Sequence, residues 1–215
     1  MKRWKYKATE EDELGSQQVP IYLNMQAPTS NENWNPQGSI RVLDNKILFY
    51  GSIDQSAALD LNRTLLDLDV KLQNIKNTLG DDFEPVCHLH IASEGGEVYP
   101  AFAIVDTIRN MKSKVYTYVD GYAASASTFL SLIGDHRVIG KYSRVLIHQI
   151  SGGMYGKFSE LEDEIYNVTN LMTILKSFYK EYTKLPVKKL DELLKKDIWL
   201  SAEECLQYGL VDEII

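Results

Sequence analysis

From Ser39 onward, short β-rich apolar runs alternate with apolar stripes at helical spacing, and glycine or small-residue turns punctuate them. Such alternation closes as a largely parallel sheet covered by helices, an α/β fold. The first two runs differ: SIRVL and KILFYG flank Asp44-Asn45, the pattern of an antiparallel hairpin. Ala58, Leu61, Leu65, Leu68, Leu72 and Ile75 then recur at intervals of three and four, one face of a helix that Asp54 or Ser56 can cap. Val86 to Ile91 reads as a buried strand, Gly95-Gly96 as the turn into a helix through Ala101, Ile104, Val105 and Ile108, and Val115 to Val119 as the next strand. After Gly121 come a helix from Ala124 to Ile133, a strand from Ser143 to Ile150 and a long helix from Phe158 to Lys184.

Residues 1–38 do not share this pattern. Pro20, Pro28, Asn31, Asn33, Asn35, Pro36 and Gly38 interrupt any period, so the segment reads as an N-terminal arm, flexible or ordered by a partner, with a short strand at Val19 to Met25. Residues 39–215 read as one domain. A chain of 215 residues, 44% hydrophobic and 25% charged, can fill one continuous core. Lys plus Arg number 23 against 30 Asp plus Glu, and the net charge of −7 argues against a surface for the nucleic-acid backbone. Cys87 and Cys205 are too few to staple a secreted scaffold, and no apolar run reaches the length of a bilayer span. The basic start MKRWKYK meets acids where a signal peptide needs apolar residues, so the expectation is a soluble, cytoplasmic protein with no membrane partner.

Three segments carry the chemistry: SEGGEV at Ser93 to Val98, DGYAASAS at Asp120 to Ser127, and RVLIHQISGG at Arg144 to Gly153. Each falls at the end of a predicted strand, where open α/β sheets place ligands. Ser125 starts a helix, where N–H groups and the helix dipole favour developing negative charge, and its alanine neighbours leave room for a carbonyl. An N-capping serine is the commoner reason for a Ser there, and Ser127 competes as nucleophile. His148 is one of four histidines and a candidate general base, against the alternative of a core His bonded to a carbonyl. Gly95-Gly96 is either a plain helix entry or an oxyanion hole built from the N–H groups of Gly96 and Ala126. Asp197 is a candidate to orient the imidazole, with Asp106 and Asp135 as competitors, the latter in Gly-Asp-His-Arg, which reads as an exposed turn. GGEVYP lacks G-x-G-x-x-G spacing and no P-loop Lys follows, which argues against a nucleotide site.

GYAASAS, SRVLIHQISGG and KKDIWLSAEECLQYGLVDEII, in that order and spacing, resemble the motifs around Ser, His and Asp in ClpP, the proteolytic subunit of the Clp (caseinolytic) serine peptidases. The resemblance runs from Ile40 to the C-terminus. It implies a ClpP/crotonase-like superhelix of repeated ββα units with a long protruding handle helix. It also implies a serine endopeptidase with Ser125 as nucleophile, His148 as base, Asp197 as orienting acid, and Gly96 and Ala126 as oxyanion donors. Substrate would pair as an added strand along Glu97, Val98, Ile150, Ser151, Gly152 and Gly153. The implied assembly is a homo-oligomer of two heptameric rings that encloses polypeptide substrates, served by an AAA+ unfoldase ATPase. No cofactor or metal is implied.

This chain departs from the family pattern at Glu94 and Ile150, where prolines are usual, and at Lys196, where an Arg is usual; the arm shows no recognisable axial-loop sequence. Three other readings stand beside the peptidase. They are a crotonase-type acyl-CoA enzyme on the same superhelix, an inactive structural ring subunit, and a viral-type protease that trims a scaffold or capsid protein.

Two further patterns complete the reading. Leu161, Ile165, Val168, Met172, Leu175, Tyr179 and Tyr182, widened by Leu171, Ile174 and Phe178, make the long helix apolar over much of its circumference, which points to oligomerisation. His88 and His90 form an H-x-H that zinc could use, but without the usual partner motif it reads as structural.

Overall fold

The computed structural model describes residues 39–80 and 82–215. The arm expected at 1–38, with its strand at Val19 to Met25, lies outside the described residues. The hairpin pairs β1 (Ile40–Leu43) with β2 (Lys46–Tyr50), Leu43 opposite Lys46 across the Asp44-Asn45 turn. Asp44 holds φ 55°, a left-handed conformation that Asp tolerates better than most residues. Helix α1 (Gln55–Leu79) is capped by Asp54, whose carboxylate accepts from the Ala57 N–H at 2.7 Å. Its stripe buries Ala58, Leu61, Leu65, Leu68 and Leu72, while Ile75 is left exposed near the helix end.

The remaining elements are β3 (Val86–Ser93), α2 (Val98–Asn110), β4 (Lys114–Ala124), α3 (Ser127–Leu132), β5 (His136–Ile139), β6 (Arg144–Leu146), α4 (Phe158–Tyr182), α5 (Val187–Leu193), β7 (Trp199–Leu200), α6 (Ala202–Gln207) and β8 (Glu213–Ile214). Strands β2, β3, β4, β5 and β8 lie parallel in that order. On β3 the side chains of Cys87, Leu89 and Ile91 are buried and join Leu61 and Leu65 of α1 and Ile104 and Val105 of α2 in one core. Each such apolar side chain removed from water is worth about 1.5–3 kcal/mol.

The opposite face of the sheet is half open and polar. His90 Nδ1 lies 2.9 Å from Asp120 Oδ2, which also accepts from Tyr50 Oη at 2.6 Å, and the His90 ring stacks on Tyr118. His88 Nδ1 contacts Tyr118 Oη at 2.9 Å. The H-x-H pair is therefore engaged with Tyr118 and Asp120. Among the described residues no three His, Cys, Asp or Glu side chains are arranged to hold a metal.

Strand β4 changes partners part-way, and that change places the site. Its Tyr116–Val119 stretch pairs with β5; after Asp120 and Gly121, the latter at φ 82°, Tyr122–Ala124 pair with β6 instead. The Gly121 N–H donates to Ser143 Oγ at 2.8 Å, fixing the fork. β7 then returns antiparallel along β6, with Leu146 opposite Trp199.

Three expectations are corrected. The strand expected over Ser143 to Ile150 is only Arg144–Leu146, because its neighbour β4 ends at Ala124, opposite Leu146. The helix expected from Ala124 begins at Ser127, because β4 runs on through the small residues before it. His136 and Arg137, read as part of an exposed turn after Asp135, open a strand instead. Arg137 takes Asp212 by two bonds, Nε and Nη2, at 3.0 and 2.6 Å, and His136 lies 2.9 Å from Glu213. These contacts hold the polar end of β5 against β8.

Helix α4 has two unlike halves. Leu171, Leu175, Phe178 and Tyr179 are buried, whereas from Phe158 to Asn170 no side chain is. Ile165, Tyr166 and Ile174 are exposed.

Candidate active site

The C-terminal ends of β3, β4 and β6 meet, with Ser93 opposite Ala123 and Ala124 opposite Leu146. Ser125 is the first residue past this junction. Its N–H donates to Leu146 O at 2.9 Å, and its φ is 55°, uncommon for a residue with a side chain and costing about 1–3 kcal/mol. Ser125 is not a helix cap: α3 begins at Ser127, and Ala126 occupies the N-cap position. The strained turn is held by its surroundings. Ser127, fully buried, shares its single hydroxyl proton between Ser93 O at 2.9 Å and Ala124 O at 2.7 Å, which commits the competing serine to structure. Thr128 Oγ1 donates to Ser125 O at 2.6 Å and lies 2.6 Å from Tyr179 Oη of α4. Burial pushes the Tyr179 phenol well above its ordinary range, so it stays a neutral donor.

Gly95 and Gly96 adopt φ 94° and 145°. A Cβ on Gly95 would sit 2.6 Å from Ala124 O and 2.9 Å from Ala126 N, so only glycine lets this loop lie against the Ser125 turn. Gly96 is pinned from the other side, where Ile53 N donates to Gly95 O at 2.7 Å and Glu97 N to Ile53 O at 2.8 Å. Among the described residues, neither the Gly96 N–H nor the Ala126 N–H takes part in a backbone hydrogen bond.

His148 lies two residues beyond β6, and the next residue is tethered by a 2.9 Å bond from Gln149 N to Leu194 O. That tether and the β6–β7 pairing bring the intervening Asp197 back beside His148. The His148 Nδ1 to Asp197 Oδ1 separation is 3.8 Å, beyond hydrogen-bond length, and the Asp197 side chain is 80% exposed. Among the described residues no hydrogen bond joins Ser125 Oγ to His148. The competing acids are elsewhere: Asp135 accepts from the Val115 N–H at 2.8 Å, and the backbone O of Asp106, on α2, accepts from Asn110.

One cleft gathers Gly96, Val98, Ser125, Ala126, His148, Ile150 and Ser151. Its apolar wall also includes Phe129, Leu175 and Tyr179, which the sequence reading did not place at the site. Glu97, Val98, Ile150, Ser151, Gly152 and Gly153 line an adjoining groove. Beneath the segment, the Ile150 N–H points at Met172 Sδ, 3.4 Å away.

The family profile described as Clp protease matches residues 32–215. The chain is also similar to the ATP-dependent Clp protease proteolytic subunit of Deinococcus radiodurans, 34% identical over 178 residues that cover 81% of this chain and 82% of that protein. A family match over all the described elements, joined to a relative aligned over four-fifths of each chain, shows that this chain belongs to the Clp protease family and is a serine peptidase, a hydrolase.

Proposed function

We propose that Ser125, His148 and Asp197 form the triad of an endopeptidase that cleaves unfolded polypeptides or peptides through an acyl-enzyme. Ser125 Oγ attacks the scissile carbonyl as His148 takes its proton. The tetrahedral oxyanion is bound by the Gly96 and Ala126 N–H groups; collapse expels the amine, which receives the proton from His148. Water, activated by the same imidazole, then releases the acyl group. Asp197 orients the ring. The observation that carries this reading is the pair of uncommitted N–H groups flanking a strained serine in the same cleft as an imidazole. Preorganised donors of this kind are worth about 2.7–4 kcal/mol each to the transition state. The separation at Asp197 fits a site without substrate, where catalytic hydrogen bonds are often long.

Substrate lies extended between Glu97-Val98 and Ile150 to Gly153, adding its backbone as a strand. The exposed apolar first half of α4 supports assembly into a ring chamber built from copies of this chain, two heptameric rings by family resemblance. The Deinococcus relative is named as an ATP-dependent subunit, and an AAA+ unfoldase is the corresponding partner here. A cytoplasmic setting fits such a machine.

Labelling with a fluorophosphonate probe, read by native mass measurement, tests nucleophile and assembly together. One phosphonyl group per chain on a multimer is expected, with none on Ser125→Ala, whose turnover should fall about a million-fold. Undiminished labelling or hydrolysis in Ser125→Ala excludes that serine from the mechanism.

A further inference from the structure

Beside the catalytic cleft runs a second groove of about 400 Å³, walled by Glu97 to Pro100 at the start of α2, by residues 150–154, and by Glu164, Val168 and Leu171 of α4. Val98, Ile150 and Ser151 line both cavities, so a chain lying across Ser125 presents a nearby side chain to the groove. The two cavities differ in chemistry. Among the described residues the cleft at Ser125 has His148 as its one ionisable lining residue other than Tyr179, and it is otherwise mainly apolar or small. The adjoining groove has an apolar floor from Val98, Val168 and Leu171, and among the described residues its charged lining consists of two carboxylates, Glu97 and Glu164.

The carboxylates come from different elements. Glu97 sits at the N-cap position of α2 but makes no side-chain cap bond, and Glu164 lies in the second turn of α4. Among the described residues neither is engaged in a salt bridge, although α4 carries other acids that are: Glu160 pairs with Lys157. Among the described residues no Lys, Arg or His lines the groove to neutralise them. An apolar floor with uncompensated negative charge suits a long aliphatic stem ending in a cation, the form of Lys and Arg side chains. An acidic side chain would meet like charge there.

We propose that this groove is a specificity subsite that selects a basic substrate residue close to the scissile bond, and that Glu97 and Glu164 set the preference. The inference rests on the peptidase reading of Ser125 and refines it: backbone pairing admits many sequences, and the groove ranks them. Because both carboxylates are exposed, the selectivity is modest and salt-dependent.

The test uses fluorogenic peptides with one apolar residue at the cut and Lys, Gln or Glu placed in turn at each position beside it. kcat/KM is compared within each enzyme, so that any general loss in a variant cancels. At one of those positions the wild-type chain should prefer Lys over Gln by about five-fold at low salt, falling toward parity at high salt. The ratio should fall to about one in the double variant Glu97→Gln, Glu164→Gln, and Glu164→Lys should shift the preference toward the Glu peptide. If the Gln peptide is cut in a Ser125-dependent manner but no position favours Lys, or the double variant keeps the full preference, the subsite is overturned while the peptidase reading stands. If no peptide is cut in a Ser125-dependent manner, both fall.

Discussion

The two sides of the candidate catalytic cleft are built to different standards. On the serine side, three parallel strands end together, Ser127 bonds two strand-end carbonyls, and Thr128 links the turn to buried Tyr179. On the acid side, Asp197 is mostly exposed and stands 3.8 Å from His148, held by a surface turn bonded through Lys195 and Lys196, the Gln149–Leu194 bond and a two-residue strand nearby. The strained Ser125 and the Gly96 and Ala126 N–H groups, the proposed nucleophile and oxyanion donors, are fixed by the core of a single copy. The proposed base–acid pair, His148 and Asp197, stands short of hydrogen-bond contact, and in the proposed mechanism it closes on binding. Preorganisation is thus concentrated where charge develops in the reaction, the place where it is most effective.

Substituting the acid side is the strongest way to probe this contrast. Asp197→Ala should lower kcat about ten-thousand-fold, less than loss of the serine, with little change in thermal unfolding because the side chain is exposed. A fall of less than ten-fold in peptide hydrolysis would move the orienting role to another residue.

Gly95→Ala attacks the serine side through its packing. The new Cβ meets Ala124 O at a positive φ, and strain plus overpacking should cost about 2–5 kcal/mol in urea denaturation, with a large loss of turnover. Wild-type stability in this variant would show that the loop does not brace the turn.

Tyr179→Phe removes one donor from the Thr128 network. It should cost about 1 kcal/mol and slow turnover only several-fold, as measured by chemical denaturation and steady-state kinetics. Equal losses of activity in Tyr179→Phe and Gly95→Ala would contradict a serine turn held by several contacts.

The smallest effect lies on the open face of the sheet. Burial acts to raise the Asp120 carboxyl, but hydrogen bonds from His90 and Tyr50 outweigh it and hold the group below its ordinary value. Its stabilising contribution is therefore complete above about pH 4, the unfolded range, and is lost as pH falls through the depressed folded value. Its partial exposure keeps this under about 1 kcal/mol. Asp120→Asn should show a shallower loss of stability between neutral pH and pH 3; an unchanged acid limb would remove Asp120 as a contributor.

Much of this was legible in the residues. The hairpin at Asp44-Asn45 and the stripe of α1 are local patterns, and the structure has them where the spacing puts them. Ser125 and His148 could be found because each follows the end of an apolar run. What could not be read depends on distant partners. Val138 and Ile139 are too short a run to announce β5, and the polar residues before them are matched by Asp212 and Glu213, far along the chain. The extension of β4 to Ala124 is decided by β6 alongside it. Tyr179 and Leu175 look like ordinary stripe residues of a long helix, and only the packing of α4 on α3 makes them walls of the cleft.

The difference between the two sides can be tested most directly by a crystal structure of the chain with a phosphonyl group on Ser125. The expected result has the phosphonyl oxygen about 2.7–3.1 Å from both Gly96 N and Ala126 N, an unmoved serine turn, and His148 and Asp197 drawn into hydrogen-bond contact. An oxygen turned away from those N–H groups, or a serine turn that rearranges while His148 and Asp197 stay apart, would contradict a preformed serine side and a closing acid side.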